Sequence, residues 1–261
     1  MRLYAALATA GLITAAHAED APYSGPPDWA SRGQVGFAKT TGNTDTSTGN
    51  LLIHAAHTVG DKWKFLMGAD GHYGSTQGET TSQAWEAYGQ ANYNISQRFF
   101  WFVSARYQDD RFSGFSYQGT LSTGAGYQIV KTDATQFSVQ VGAGARWLRP
   151  EILEKDSVGG VISRTPLESS TDAVLDAALN YEHAFNANTK LLASAAVESG
   201  ADNTQTKAAI SLQVKMTQVL ALAAGVQVTR NSQPPQGAVP TDTLSTLNLV
   251  YELKNPKLAP E

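Results

Sequence analysis

The stretch YQGTLSTGAGYQI, Tyr117 to Ile129, alternates strictly. Its odd positions are Tyr117, Gly119, Leu121, Thr123, Ala125, Tyr127 and Ile129, and its even positions are polar or glycine. After the polar link Lys131 to Thr135 the alternation restarts. Phe137, Val139, Val141, Ala143, Ala145 and Trp147 interleave with Gln136, Ser138, Gln140, Gly142, Gly144 and Arg146. A period of two puts each set on one face of a β-strand. The two runs make a hairpin with one apolar, aromatic-ended face. Each exceeds the five or six residues usual for a soluble strand. Each also reaches the roughly 9–11 residues that cross a bilayer as a tilted strand. A hairpin in lipid must have its edges paired, so the remaining chain is expected to close a barrel.

The flanking sequence repeats the pattern. Upstream, apolar faces run through Val35 and Phe37, Leu51 to Ala55, Trp63 to Tyr73, Trp85 to Ile95, and Phe99 to Tyr107. Downstream they run through Ala173 to Tyr181, Leu191 to Val197, Ala208 to Met216, Leu220 to Val228, and Leu247 to Leu253. With the central hairpin this predicts twelve strands in an all-β, closed, antiparallel up-and-down transmembrane β-barrel. Short connections near 61, 97, 133, 187 and 217 alternate with mostly longer ones near 43, 77, 112, 160, 201 and 236. That alternation matches the short periplasmic turns and longer outer loops of such barrels, and an even strand count returns both ends to the periplasm. Aromatic residues gather at strand ends, where two interfacial girdles belong. Leu148 to Ser170 reads as the longest irregular segment and is expected to be an outer loop.

Composition narrows the function classes. The chain has 261 residues, 42% of them hydrophobic, with 23 glycines, no cysteine and a net charge of −4. The absence of cysteine excludes disulfides and thiolate metal sites. The charge gives no basic footprint for nucleic acid. The N-terminus carries Arg2, a small apolar run from Leu3 to Ala16, and the A-x-A sequence Ala16-His17-Ala18 before Glu19 and Asp20. This reads as a secretory signal peptide over 1–18. A proline-containing periplasmic linker follows over 19–30, then the barrel over 31–253 and a polar tail over 254–261. Export and amphipathic strands together place the expected protein in the outer membrane of a Gram-negative cell. Its expected partners are outer-membrane lipid and lipopolysaccharide, with the barrel-insertion machinery during biogenesis, and it is expected to be a monomer.

The segment TTGNTDTSTGNL, Thr40 to Leu51, resembles the start of the mature chain in the family of salt-induced outer-membrane proteins catalogued as domain of unknown function 481. The C-terminal stretch is similar too, in Arg230 to Pro235, Thr241 to Thr243 and Leu249 to Leu253. The resemblance covers roughly residues 31 to 253 and implies an outer-membrane barrel with no assigned activity.

Few constellations point to chemistry, and neither a cofactor nor an enzyme is expected. His54 and His57 fall on opposite strand faces. His72 shares a face with Asp70, a solvated lumen pair more readily than a metal site. The sequence GNTDT lacks the spacing of a calcium loop. The alternative function, a barrel enzyme acting on lipids, needs a Ser–His pair with an orienting group, and no motif supplies one.

The inward charges say more. They are Lys64, Asp70, Glu86, Arg106, Arg146, Asp172, Asp176, Glu182, Lys190, Glu198, Lys207, Lys215 and Glu252. The candidate site is a lumen network in the outer half: Asp70, Glu86, Arg106, Arg146, Asp172 and Asp176. Arg106 is expected to meet Glu86, and Arg146 to meet Asp172 and Asp176, by cross-strand pairing. Twelve strands at ~4.8 Å spacing and ~40° tilt give a backbone diameter of about 24 Å. Once side chains fill that ring, a narrow pore or a filled lumen remains. If open, this acidic excess would favour cations.

Overall fold

The computed structural model describes residues 28–40, 46–157 and 159–254. The signal peptide, most of the linker, the first outer connection over 41–45 and nearly all of the polar tail lie outside them. Among the described residues every regular element is a strand. They are β1 (Trp29–Thr40), β2 (Thr46–Val59), β3 (Trp63–Thr76), β4 (Glu79–Asn94), β5 (Phe99–Asp110), β6 (Phe115–Lys131) and β7 (Thr135–Lys155), followed by β8 (Val161–Pro166), β9 (Ser170–Ala184), β10 (Thr189–Gly200), β11 (Thr204–Lys215), β12 (Leu220–Asn231) and β13 (Thr241–Lys254).

Twelve of the thirteen form a closed antiparallel ring. Sequence neighbours pair, β7 pairs with β9, and β1 with β13 in the register Arg32 with Glu252 and Val35 with Leu249. Closure pairs the two terminal strands over Ala30–Val35 and Leu249–Lys254, and pairing strand edges is the condition for spanning lipid with strands. The strand β8 stands outside the ring, paired to the outer extension of β7.

Two expectations are corrected. Leu148 to Ser170 is not irregular. Its first part continues β7 to Lys155 and its second is β8, so the segment is a hairpin. The reason is local: alternation continues past Pro150, and Gly159, at φ 92°, turns the chain in a conformation that glycine adopts freely. The barrel also begins at Trp29, inside the segment read as linker.

The faces are inverted relative to a soluble protein. Leu51, Ile53, Leu121, Val141, Leu175, Ile210, Val226 and Leu247 are all exposed on the outside. Gln118, Thr120, Ser122, Arg146, Gln205, Gln213 and Asn248 are buried within. Small residues of the central hairpin make room for this interior. A Cβ on Gly142 would come within 2.9 Å of both the Phe102 ring and the Asp176 carboxylate. A Cβ on Gly126 would collide with the Phe100 ring. Near the two ends of the outer face, Trp63 meets Tyr93 edge to face at 5.1 Å, and Trp85 leans on Tyr107 at 5.3 Å.

Candidate functional site

The lumen network starts from one row of cross-strand neighbours. Arg106 on β5 stands opposite Thr120 on β6, Thr120 opposite Arg146 on β7, and Arg146 opposite Asp172 on β9. The pleat points all four side chains inward. Glu198 on β10 is the hub. Its carboxylate accepts from Arg106 Nη2 at 2.7 Å, Thr120 Oγ1 at 2.9 Å and Arg146 Nη1 at 3.3 Å. Arg106 Nη1 also reaches Glu86 at 3.4 Å and donates to Gln205 at 3.0 Å. Lys207 on β11 donates to Glu86 on β4 at 2.8 Å. Arg146 Nη2 donates to the Asn203 carbonyl at 2.8 Å and lies 3.6 Å from Asp172. Three cations, Arg106, Arg146 and Lys207, thus meet three carboxylates, Glu86, Glu198 and Asp172.

These groups are largely removed from water. The Arg146 side chain is 0% exposed, Glu198 12%, Glu86 14% and Arg106 22%. Buried charges persist only when paired and hydrogen-bonded. Counting around the ring from β4 through β5, β6, β7, β9 and β10 to β11 gives six steps out of twelve. Lys207 and Glu86 therefore join opposite walls, and Arg106 with Glu198 joins β5 to β10 beside them.

Two residues expected in this group sit apart from its bonds. Asp70 lies midway along β3 and accepts from His54 at 2.6 Å, a diagonal contact between β2 and β3. Its direct neighbour on β4 is Glu86, so like charges oppose, and the two carboxylates turn to different partners, Asp70 to His54 and Glu86 to Lys207 and Arg106. Asp176 stands opposite Gly142 and Glu198, and its Oδ2 has no hydrogen-bond partner. It does not hold Arg146; Glu198 does, from the next strand. Glu198 and Lys207 are readable as inward charges, but cross-lumen contacts have no signal in the spacing of neighbouring strands.

A second layer of contacts lies at the end of the barrel that carries β8. The Leu153 N–H donates to the Gln236 carbonyl at 3.1 Å, and the Glu151 N–H to the Gly114 carbonyl at 2.8 Å. A Cβ on Gly114 would come within 3.0 Å of Pro235 and Ala238. The β5–β6 loop, the β7–β8 hairpin and the β12–β13 loop thereby meet above the lumen. Glu151, 1% exposed, is held inside this roof by Arg164 at 2.7 Å and Ser116 at 2.8 Å. At the opposite end of the barrel a second buried cluster surrounds Glu252, whose side chain is 8% exposed. Lys64 is exposed there, while Glu252 is bonded to Lys190 at 3.1 Å and Gln213 at 3.0 Å.

Compared with known families, residues 33–253 match the family described as Protein of unknown function, DUF481. The chain belongs to that family. A relative, the uncharacterized protein YdiY of Escherichia coli K12, is 25% identical over 239 residues, covering 90% of this chain and 87% of YdiY. Among solved structures, an outer membrane channel from Pseudomonas putida F1 is similar at TM-score 0.49 and 11% identity, covering 90% of this chain and 100% of that one. The NanC porin is similar at TM-score 0.44 and 12% identity, covering 86% and 97%. The KdgM porin is similar at 0.41 and 11%, covering 85% and 98%.

Proposed function

We propose that this DUF481 chain is an exported outer-membrane barrel whose lumen is held shut at rest by its own charge network, and that it acts as a narrow gated pore for small ions rather than as an enzyme. The observation that carries this is the pair of bridges across the lumen, Lys207 to Glu86 at 2.8 Å between opposite walls and Arg106 to Glu198 at 2.7 Å between strands four steps apart. In a wide water-filled pore these four side chains would be solvated. Here they are between 12% and 29% exposed. The apolar outer belt and the two aromatic rims support membrane placement. The lipid-acting alternative gains nothing from the geometry, because the hydrogen-bond partner of the His54 ring is Asp70 and no serine joins the pair among the described residues.

Flux of potassium through protein-loaded liposomes tests the reading. The unmodified barrel should be tight. Arg106→Ala with Lys207→Ala removes both cations that cross the lumen and should admit potassium, with cations favoured by the remaining carboxylates. A double variant that is folded in the membrane and still tight would overturn the gated-pore reading.

A further inference from the structure

The outer end of the hairpin holds a groove that the lumen account does not use. Trp147 faces outward on β7, its indole lying over Gly119 of β6. The next outward position toward the outer rim is Arg149, opposite Tyr117. Tyr117 stacks on Tyr107 at 6.2 Å, and Tyr107 leans on Trp85 at 5.3 Å, so the aromatic rim runs directly below Arg149. The chain leaving β8 forms the other wall. Leu167 N–H donates to the Pro150 carbonyl at 2.8 Å, and Arg149 Nε donates to the Leu167 carbonyl at 3.2 Å. That bond fixes the guanidinium plane and leaves its two terminal nitrogens without a hydrogen-bond partner among the described residues. The cavity between the walls measures about 710 Å³ and is lined by Tyr117, Arg149, Pro166, Leu167, Glu168 and Ser169.

We propose that this groove binds the phosphate of an outer-leaflet glycolipid, with the headgroup at Arg149 and the acyl chains on the belt beneath. The proposal rests on the membrane placement argued above. A fixed guanidinium with free terminal N–H groups matches phosphate oxygens in geometry and charge. The aromatic rim marks the headgroup level of the bilayer. Directly below, Leu121 and Val141 offer an apolar surface of the kind acyl chains cover. Exposed Leu167, on the wall itself, argues for an amphiphile over a free anion. Glu168 carries the opposing charge on the same rim and limits the affinity.

Native mass spectrometry of the refolded full chain with bisphosphorylated lipid A tests this. The unmodified protein should retain one lipid. Arg149→Gln should lower retention roughly tenfold, the loss of about one charge-assisted hydrogen bond, and Glu168→Gln should raise it. Arg230, another exposed outer-rim arginine on β12, provides the control, and Arg230→Gln should leave retention unchanged. Dephosphorylated lipid A should bind weakly. Equal retention by Arg149→Gln in a barrel that inserts into vesicles overturns the site alone, whereas a chain that never inserts overturns the membrane reading first. Saturation by inorganic phosphate with no preference for lipid A would make this a free-phosphate site and overturn the lipid assignment.

Discussion

Lys207 and Glu86 are bonded at 2.8 Å although their strands stand six places apart in a ring of twelve. An extended lysine, an extended glutamate and the bond between them span roughly 14 Å from backbone to backbone. A circular ring of twelve strands would hold opposite walls about 24 Å apart. The section is therefore flattened, with β4 and β5 pressed toward β10 and β11. The bonds across the short axis are what a pore at this level would have to break.

Glu198 should matter more to stability than Asp172. Glu198 accepts from Arg106, Thr120 and Arg146, and its removal leaves the fully buried Arg146 with only the 3.6 Å approach of Asp172 to offset its charge. Glu198→Ala should cost about 3 kcal/mol, the scale of breaking a buried pair from one side. Asp172→Ala should cost about 1 kcal/mol, since Arg146 keeps Glu198 and the Asn203 carbonyl. Equilibrium urea unfolding in lipid vesicles measures both, and the reverse ranking would show that Glu198 is not the hub.

The inverted faces give a second ranking. Val141 is 62% exposed on the outside, near the middle of the membrane-crossing part of β7, and Gln140 faces the lumen. Val141→Arg should destabilise the barrel by about 2–4 kcal/mol, the cost of an arginine on the lipid face at the midplane. Gln140→Arg should cost less, because its neighbours are polar. Comparable losses in the same vesicle assay would contradict the assignment of faces.

The roof can be tested with thiols because the chain has no cysteine. Leu153 and Gln236 share a backbone hydrogen bond of 3.1 Å between segments from distant parts of the ring. Leu153→Cys with Gln236→Cys should be joined by a short bis-thiol crosslinker in the folded barrel, and the product should migrate as a closed loop on gels. No crosslink in folded protein would mean that the outer mouth is not roofed in this way.

The barrel was legible because its signal is local. Period-two runs such as Phe137 to Trp147 state their own two faces, and the aromatic ends state their depth. Neighbouring-strand pairs were legible for the same reason: Arg146 with Asp172 and Arg106 with Glu86 follow from hairpin counting. Three features were not. The hairpin of β7 and β8 was hidden by Pro150 and by the charges Glu151, Glu154 and Lys155, which read as loop although Glu151 is buried. The His54–Asp70 contact is diagonal, so face counting shows that the two share a lumen but not that they touch. The bonds from Glu198 to Arg106 and from Lys207 to Glu86 depend on the flattening of the ring, which no single strand encodes.

Single-channel recording of the refolded, unmodified protein in a planar bilayer tests the closed lumen most directly. The network is shielded from solvent, so even concentrated salt should screen it little. The account predicts a silent membrane in 1 M-range potassium chloride, with steps of cation preference appearing once Arg106→Ala and Lys207→Ala are combined. Neutralising Asp172 and Asp176 together should leave the membrane silent, because neither carries a bond between opposite walls. Steady conductance from the unmodified protein would contradict the account, and anion preference in the opened variant would contradict the acidic lining assigned to the lumen.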